Sequence, residues 1–427
     1  MYSTPRGTRD ILPLEWPYWN FVTRRASESA SLYGYDRIET PTFAETGLFA
    51  RTSGEGSDVV DKEMYTFQDR AGEDLTLRAE GTAPIMRAYL QHGMSRQPQP
   101  VKLYYLERIY RYDRPQKGRL REHHQFGCEA IGSDDAYVDV EMIGLLHRFY
   151  ASLGLCELSL HVNTIGDRTC RPNYVADLVG YLKDHQAQLG PRDLERIERN
   201  PLRVLDSKEH ESQSVLRGAP RLIDYLCGEC LDHWDKVLRG LDLLGLKYQI
   251  DPYLVRGLDY YTRTVFEFLP EGQEGAQSTV GGGGRYDALS EALGGPAVPG
   301  VGFGTGLERI ILNLQEREIG APEMPVPAAF VVQAGAGTED AALKVLEQLH
   351  QAGVAAQMAF GGKSLKAQMR QANGSGARYA LIVGEAELAE GKVVVRELAS
   401  GEQWAVGLED AARAAGATPP APALPRD

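Results

Sequence analysis

The chain has 427 residues, which at ~150 residues per domain suggests two or three domains. Apolar residues make up 43% and charged residues 25%, which excludes a mainly disordered or fibrous chain, and no run approaches the ~18 apolar residues of a membrane-spanning helix. The net charge of −13 argues against a nucleic-acid partner when averaged over the chain, although binding depends on where the charge sits. The N-terminus lacks the basic-then-apolar pattern of a signal peptide, and five cysteines make no disulfide framework, so a reducing cytoplasm is expected.

Pro17 suits a first helical position, and Tyr18, Phe21, Val22 and Ala26 recur at helical spacing, predicting a helix over 17–32 that Gly34 can end. Residues 36–41 read as a short strand stopped by Pro41. Two proline-free strands, 101–112 and 123–131, flank a polar loop and suit the interior of an antiparallel sheet. Residues 170–240 turn densely charged, with Leu at helical spacing, and read as a helical insertion. Strand signals return over 261–268, before the run Gly281 to Gly284. Pro322, Pro325 and Pro327 punctuate a linker. Strands at 329–332, 380–383 and 393–395 then alternate with helical patterns at 340–351 and 364–372, predicting a separate α/β domain over 328–413. Residues 414–427 read as a disordered tail.

Charge is concentrated between Lys102 and Arg121, where seven basic and two acidic residues give a net +5. Such an island suits phosphate or a nucleic-acid backbone; a solvated loop is the plainer alternative. Side chains two apart share a strand face, so Arg111 and Asp113 point one way, and His123, Gln125, Gly127 and Glu129 line one face of the return strand. Buried unpaired, that polar set would be costly, so it reads as the floor of a ligand site. His123 and His124 face opposite sides and cannot chelate one metal together. Cys227 and Cys230, with His233 following, form at most half a zinc site, because Cys170 is the only other plausible ligand nearby. They read as reduced helical cysteines, and no structural metal is expected.

The run Arg111-Tyr-Asp-Arg-Pro-Gln-Lys-Gly-Arg119, continued by His124-Gln-Phe-Gly-Cys-Glu129, resembles motif 2 of the class II aminoacyl-tRNA synthetases, and more narrowly that of the histidyl-tRNA synthetase family. Arg6-Gly-Thr-Arg-Asp-Ile-Leu-Pro13 resembles the family's N-terminal segment, and the helix and strand ending at Pro41 resemble motif 1, the dimer interface of the class. Leu254-Val-Arg-Gly-Leu-Asp-Tyr-Tyr261 resembles the histidine-specific motif and Val301-Gly-Phe-Gly-Thr-Gly-Leu-Glu-Arg309 resembles motif 3. One motif alone would be weak; the ordered set is specific.

The resemblance implies an α+β fold: a class II catalytic core in two parts (1–169 and 241–321), interrupted by the 170–240 insertion and followed by an anticodon-binding domain. It implies a cytoplasmic homodimer that uses ATP, with Mg²⁺ bound to it, to attach L-histidine to tRNA(His) through a histidyl-adenylate. Arg256 and Arg111 would be catalytic, at the α-phosphate and the attacking carboxylate. Glu80, Gly81, Thr82, Arg111, Gln125, Glu129, Arg256, Tyr260, Tyr261 and Tyr286 would bind histidine, with Glu129 and Tyr261 reading the imidazole. Arg111, Asp113, His123 and Arg309 would bind ATP. Gln116 and Arg121 would meet the acceptor end of the tRNA. Lys363, Lys366 and Arg370, read as one helix face in a domain of net charge −2, would touch it elsewhere. The family usually has proline, glutamate and phenylalanine where Ala79, Asp113 and His123 stand, which puts ATP affinity in question. The run Gly281 to Gly284 lacks the Gly-Lys-Ser/Thr of a P-loop and is expected to bring backbone close to the ligand. The alternative function is a non-catalytic, histidine-sensing paralogue of the ATP phosphoribosyltransferase regulatory subunit type, which predicts a degraded 256–261 motif and no C-terminal domain.

Overall fold

In the computed structural model, which describes residues 2–53, 63–113, 120–207, 209–271 and 279–416, the N-terminal helix spans Trp16–Leu32 (α1). It buries Trp19, Val22 and Ala26 along one stripe, the helical spacing that foretold it. Eleven strands follow in the first unit: β1 (Asp36–Arg37), β2 (Phe43–Glu45), β3 (Thr66–Gln68), β4 (Asp74–Leu77), β5 (Val101–Tyr110), β6 (Glu122–Ile131), β7 (Leu158–Thr164), β8 (Tyr248–Ile250), β9 (Thr262–Pro270), β10 (Gly281–Arg285) and β11 (Gly300–Gly306). Its other helices are α2 (Thr46–Ser53), α3 (Thr82–Gln91), α4 (Ala136–Ser152), α5 (Arg171–Asp184), α6 (Pro191–Arg199), α7 (Leu202–Leu205), α8 (Gln213–Leu216), α9 (Gly228–Leu243), α10 (Leu289–Ala292) and α11 (Leu307–Glu316).

Eight strands form one sheet in the order β1-β5-β6-β11-β10-β9-β7-β8. Its interior is antiparallel, as expected for β5 and β6, but each edge strand pairs in parallel, so the sheet is mixed. Strand parity separates its two sides. Phe126, Cys128 and Ala130 of β6 face one core with α1, α4, α9 and α11, where Phe126 meets Phe149 and Phe303 edge to face. Their alternates, Gln125, Gly127 and Glu129, face the other side. There α3 and the helices α5 to α8 supply a second core containing Tyr105, Tyr260, Tyr261 and Tyr286.

The glycine run is strand β10, hydrogen-bonded between β9 and β11. A side chain there has no room, since a Cβ on Gly283 would lie 1.9 Å from the Gly302 carbonyl and one on Gly284 2.5 Å from that of Thr264. The glycines therefore let three strands close up beneath the site.

The chain divides into two compact units, Met1–Pro322 and Glu323–Asp427. The second holds β12 (Ala329–Ala334), β13 (Ala356–Met358), β14 (Tyr379–Gly384), β15 (Lys392–Glu397) and β16 (Gln403–Gly407), with α12 (Glu339–Gln351), α13 (Leu365–Gly374), α14 (Glu385–Ala389) and α15 (Ala411–Ala414). Its sheet runs β13-β12-β14-β15-β16, parallel at β12 and antiparallel at β15 and β16. Helices α12 and α15 cover one face, and α13 the other.

Candidate active site

Glu129 is the centre of the polar floor, and no part of it is exposed. Its register partner on β11 is Gly302, where a Cβ would sit 1.8 Å from the Glu129 carboxylate, so glycine is required for the side chain to lie across that strand. Thr82 Oγ1 donates to one carboxylate oxygen at 2.8 Å and Tyr286 Oη to the other at 2.5 Å. Burial pushes this carboxyl up to about 8, although both hydrogen bonds pull the other way. Glu80, from the loop before α3, accepts the backbone N–H groups of Thr82 and Ala83, each at 2.7 Å, and so caps that helix. Tyr260 Oη donates to it at 3.4 Å, and burial raises the Glu80 carboxyl as well.

Sequence reasoning missed Tyr105. It pairs with Gly127 across β5 and β6, and its phenol occupies the space that side chains at Gly81 and Gly127 would fill. Gln125 Nε2 donates to its hydroxyl at 2.9 Å. Parity could have found it: Tyr105 lies one register pair from Glu107–Gln125, on the face of Glu129. The phenol that donates to Glu129 is that of Tyr286, whereas Glu129 and Tyr261 were expected to read opposite nitrogens of an imidazole. Tyr261 packs against Tyr260, 4.8 Å between ring centroids, and lies 5.7 Å from the Arg256 guanidinium carbon.

The arginines converge on the sheet from the loops that hold Arg111 and Arg256 and from helix α11, which carries Arg309. Arg256 is ion-paired with Glu267, which also accepts from Thr279 Oγ1 at 2.7 Å. The carbonyl of that same Thr279 accepts from Arg309 Nη1, so one chain of contacts joins the two arginines. Burial alone would ease deprotonation of Arg256, but Glu267 and Tyr261 outweigh it and hold the guanidinium charged. Arg111 donates from Nε to the Ala79 carbonyl at 2.8 Å, and its charge pulls the Glu80 carboxyl down against the effect of burial. Glu267 was not anticipated; on β9 it alternates with Phe266 and Phe268, which face the apolar core. Glu308, beside Arg309, accepts the backbone and ring N–H groups of His124 at 2.9 and 2.8 Å and fixes α11 to β6.

His123 pairs with Ile109 in the register and shares the face of Gln125. Asp113 accepts from Arg121 Nε through its carbonyl at 3.2 Å. Arg121 itself is used within the protein, its guanidinium carbon 3.7 Å over the Tyr112 ring and its amide donating to the Gly7 carbonyl at 2.8 Å. Gln116 lies outside the described residues. In the second unit Lys363 precedes the Ser364 cap of α13, so only Lys366 and Arg370 occupy that helix; all three are exposed. The single three-residue face read from spacing is therefore corrected to a helix pair and a loop lysine. His233 bonds to Asp139, at 2.7 Å, and not to the cysteines.

Two family models match the chain: histidyl-tRNA synthetase over residues 7–310 and the anticodon binding domain over 328–416. The histidine–tRNA ligase of Dehalococcoides mccartyi is 51% identical over 409 residues, 96% of this chain and 98% of that one. That of Pelotomaculum thermopropionicum is 47% identical over 95% of this chain and 96% of its own length. The crystal structure of apo Staphylococcus aureus histidyl-tRNA synthetase superposes with a TM-score of 0.81 at 34% identity, covering 97% of this chain and 99% of that one. With an α+β architecture of one large mixed sheet and a C-terminal unit on its own sheet, the chain belongs to the histidyl-tRNA synthetase family.

Proposed function

We propose that this enzyme attaches L-histidine to tRNA(His). In the first step the histidine carboxylate attacks the α-phosphorus of ATP, forming histidyl-adenylate and releasing pyrophosphate. In the second, the terminal ribose hydroxyl of the tRNA attacks the adenylate carbonyl and AMP leaves. No covalent enzyme intermediate is needed, so the residues act by alignment and charge neutralisation.

The observation that supports this reading best is Glu129: a fully buried carboxylate held by Thr82 and Tyr286 on the floor of a tyrosine-lined site. Such a group accepts one imidazole N–H, and a neighbouring tyrosine hydroxyl serves the other ring nitrogen. Glu80, Thr82 and Gln125 would hold the ammonium and carboxylate ends. Arg111 and Arg256 would grip the reacting carboxylate and α-phosphate. Arg309 would meet the γ-phosphate, and Mg²⁺ would enter as part of the ATP substrate. Asp113 and His123 would flank the adenine.

The tRNA would meet the loop beyond Arg111 at its acceptor end and Lys363, Lys366 and Arg370 at the C-terminal unit. A homodimer built through the α1 region and a cytoplasmic location complete the proposal; among the described residues, no helix is long and apolar enough to cross a membrane. The histidine-sensing alternative is disfavoured, because the Arg256-Gly-Leu-Asp-Tyr-Tyr261 motif is intact and the C-terminal unit is present.

ATP–pyrophosphate exchange with each of the twenty amino acids tests the proposal. Exchange is expected with histidine alone; exchange with another amino acid, or with none, rejects it.

A further inference from the structure

We propose that Asp167, Cys170, Cys227 and Cys230 form a structural site for a thiophilic divalent cation, Zn²⁺, separate from the ATP and histidine sites. Their ligand atoms all lie within 4.8 Å of one another, although two of the residues come from the start of α5 and two from the start of α9. The spacing is that of two paired knuckles, Asp-x-x-Cys and Cys-x-x-Cys, separated by a long insertion, which is how four-ligand zinc sites are commonly built. Sequence reading counted three cysteines, found no fourth ligand and expected no structural metal. The fold supplies the fourth as a carboxylate.

The surroundings favour an anionic metal–thiolate centre. Cys170 and Cys230 are only 4% and 1% exposed, and Cys170 Sγ accepts from the Asp167 amide at 3.4 Å. Cys170 and Cys227 occupy N-cap positions, where helix dipoles favour thiolates. Gly166, at φ +60°, leaves space that a Cβ would take to within 2.7 Å of Cys170 Sγ. Three thiolates and a carboxylate on Zn²⁺ carry about −2 in charge, and binding would release three thiol protons to solvent. Two guanidiniums stand ready to balance it. Arg263, a non-glycine residue at φ 48°, places Nη2 3.6 Å from Asp167, and Arg171 follows Cys170 directly.

The centre would brace the histidine-specific loop. Arg171 Nη2 donates to the Tyr261 carbonyl at 2.7 Å, so the corner that holds Cys170 also holds the backbone beside Arg256. The role is positional, since no ligand of the cluster reaches the reacting atoms.

The test is metal analysis of the full chain purified with reductant and without chelator, where about one zinc per chain is expected. Replacement by Co²⁺ should give the intense near-ultraviolet thiolate-to-metal band. Cys227→Ser, which alters the partly exposed ligand, should lower that band by one thiolate's share, Asp167→Asn should weaken retention against a chelator, and Cys156→Ser should change neither. Should Cys230→Ser fail to fold, those three variants still decide the matter. Absence of stoichiometric metal and of the cobalt band, with all five thiols titratable, overturns the proposal, as does a Cys170–Cys230 or Cys227–Cys230 disulfide in the reduced preparation. Because metal content is read without substrate, these outcomes are independent of the histidine–tRNA reading.

Discussion

The two ends of the site are built on opposite principles. At the Glu129 end, hydroxyls of fixed side chains meet a buried carboxylate, and the geometry is set before any ligand arrives. At the arginine end, guanidiniums on two loops and on α11 are tethered by carbonyls and by Glu267, and stay partly accessible. In the proposed reaction the first arrangement would select a shape and a hydrogen-bond pattern, and the second would neutralise charge that changes during the reaction. Specificity would then sit where the side chains are fixed, and catalysis where cations can follow the phosphates.

If that division holds, Arg256→Ala should have the largest effect, lowering pyrophosphate exchange by about 10³-fold. Circular dichroism and gel filtration should be unchanged, and Arg256→Lys should not restore the rate, because a point charge lacks the planar fork. Near-normal turnover in Arg256→Ala would break the comparison at its catalytic end. Glu129→Gln should cost about 10²-fold in kcat/KM for histidine while leaving KM for ATP close to normal. A parallel loss of ATP affinity would show that the two ends are not separate. Glu267→Gln removes the partner of Arg256 but touches no substrate in this scheme, and about a tenfold loss concentrated in kcat is expected.

The pH dependence tests the stiff end more gently. The Glu129 carboxyl stands at about 8 in the ligand-free protein, above its ordinary value near 4.5. Its protonated form is favoured by folding, so the associated stability is present below about 4.5 and is lost as pH rises through about 8. Glu129→Gln should therefore melt progressively above the parent as pH increases across that window, with the gap reaching about 5 °C at its upper end. Conversely, histidine affinity in the parent should strengthen several-fold between about pH 6 and 8 as the carboxylate forms, and calorimetry should find this trend missing in Glu129→Gln. The smallest effect belongs to Lys366→Ala with Arg370→Ala. A few-fold rise in KM for tRNA is expected, with a shallower salt dependence and unaltered pyrophosphate exchange.

Much of this was legible in the sequence because it follows from periodicity. The two-residue alternation of β6 put Gln125, Gly127 and Glu129 on one face, and the fold keeps them there, opposite Phe126, Cys128 and Ala130. The ends of α1 followed from Pro17 and Gly34. What stayed hidden depends on contacts between segments distant in the chain. The Tyr286 hydroxyl on Glu129 stayed hidden because the two residues lie 157 positions apart. Asp167 and Cys170 meet Cys227 and Cys230 only because the starts of α5 and α9 converge. The glycine run was read only as a place of close backbone approach; that it is a strand packed between two others follows from contacts with β9 and β11. Lys363 fell off its helix because Ser364 accepts the Ala367 amide and starts α13 one residue later.

The glycine strand has a consequence for redesign. With β10 offering hydrogen atoms where other strands offer side chains, the proposed substrate site would rest above a stretch of protein that cannot be tuned one position at a time. A Cβ at any of Gly281 to Gly284 would lie within 2.5 Å of a neighbouring protein atom. Altered selectivity must therefore be engineered from the rim, at Thr82, Gln125 or Tyr260, and saturation libraries across the four glycines should return almost exclusively the parent residue.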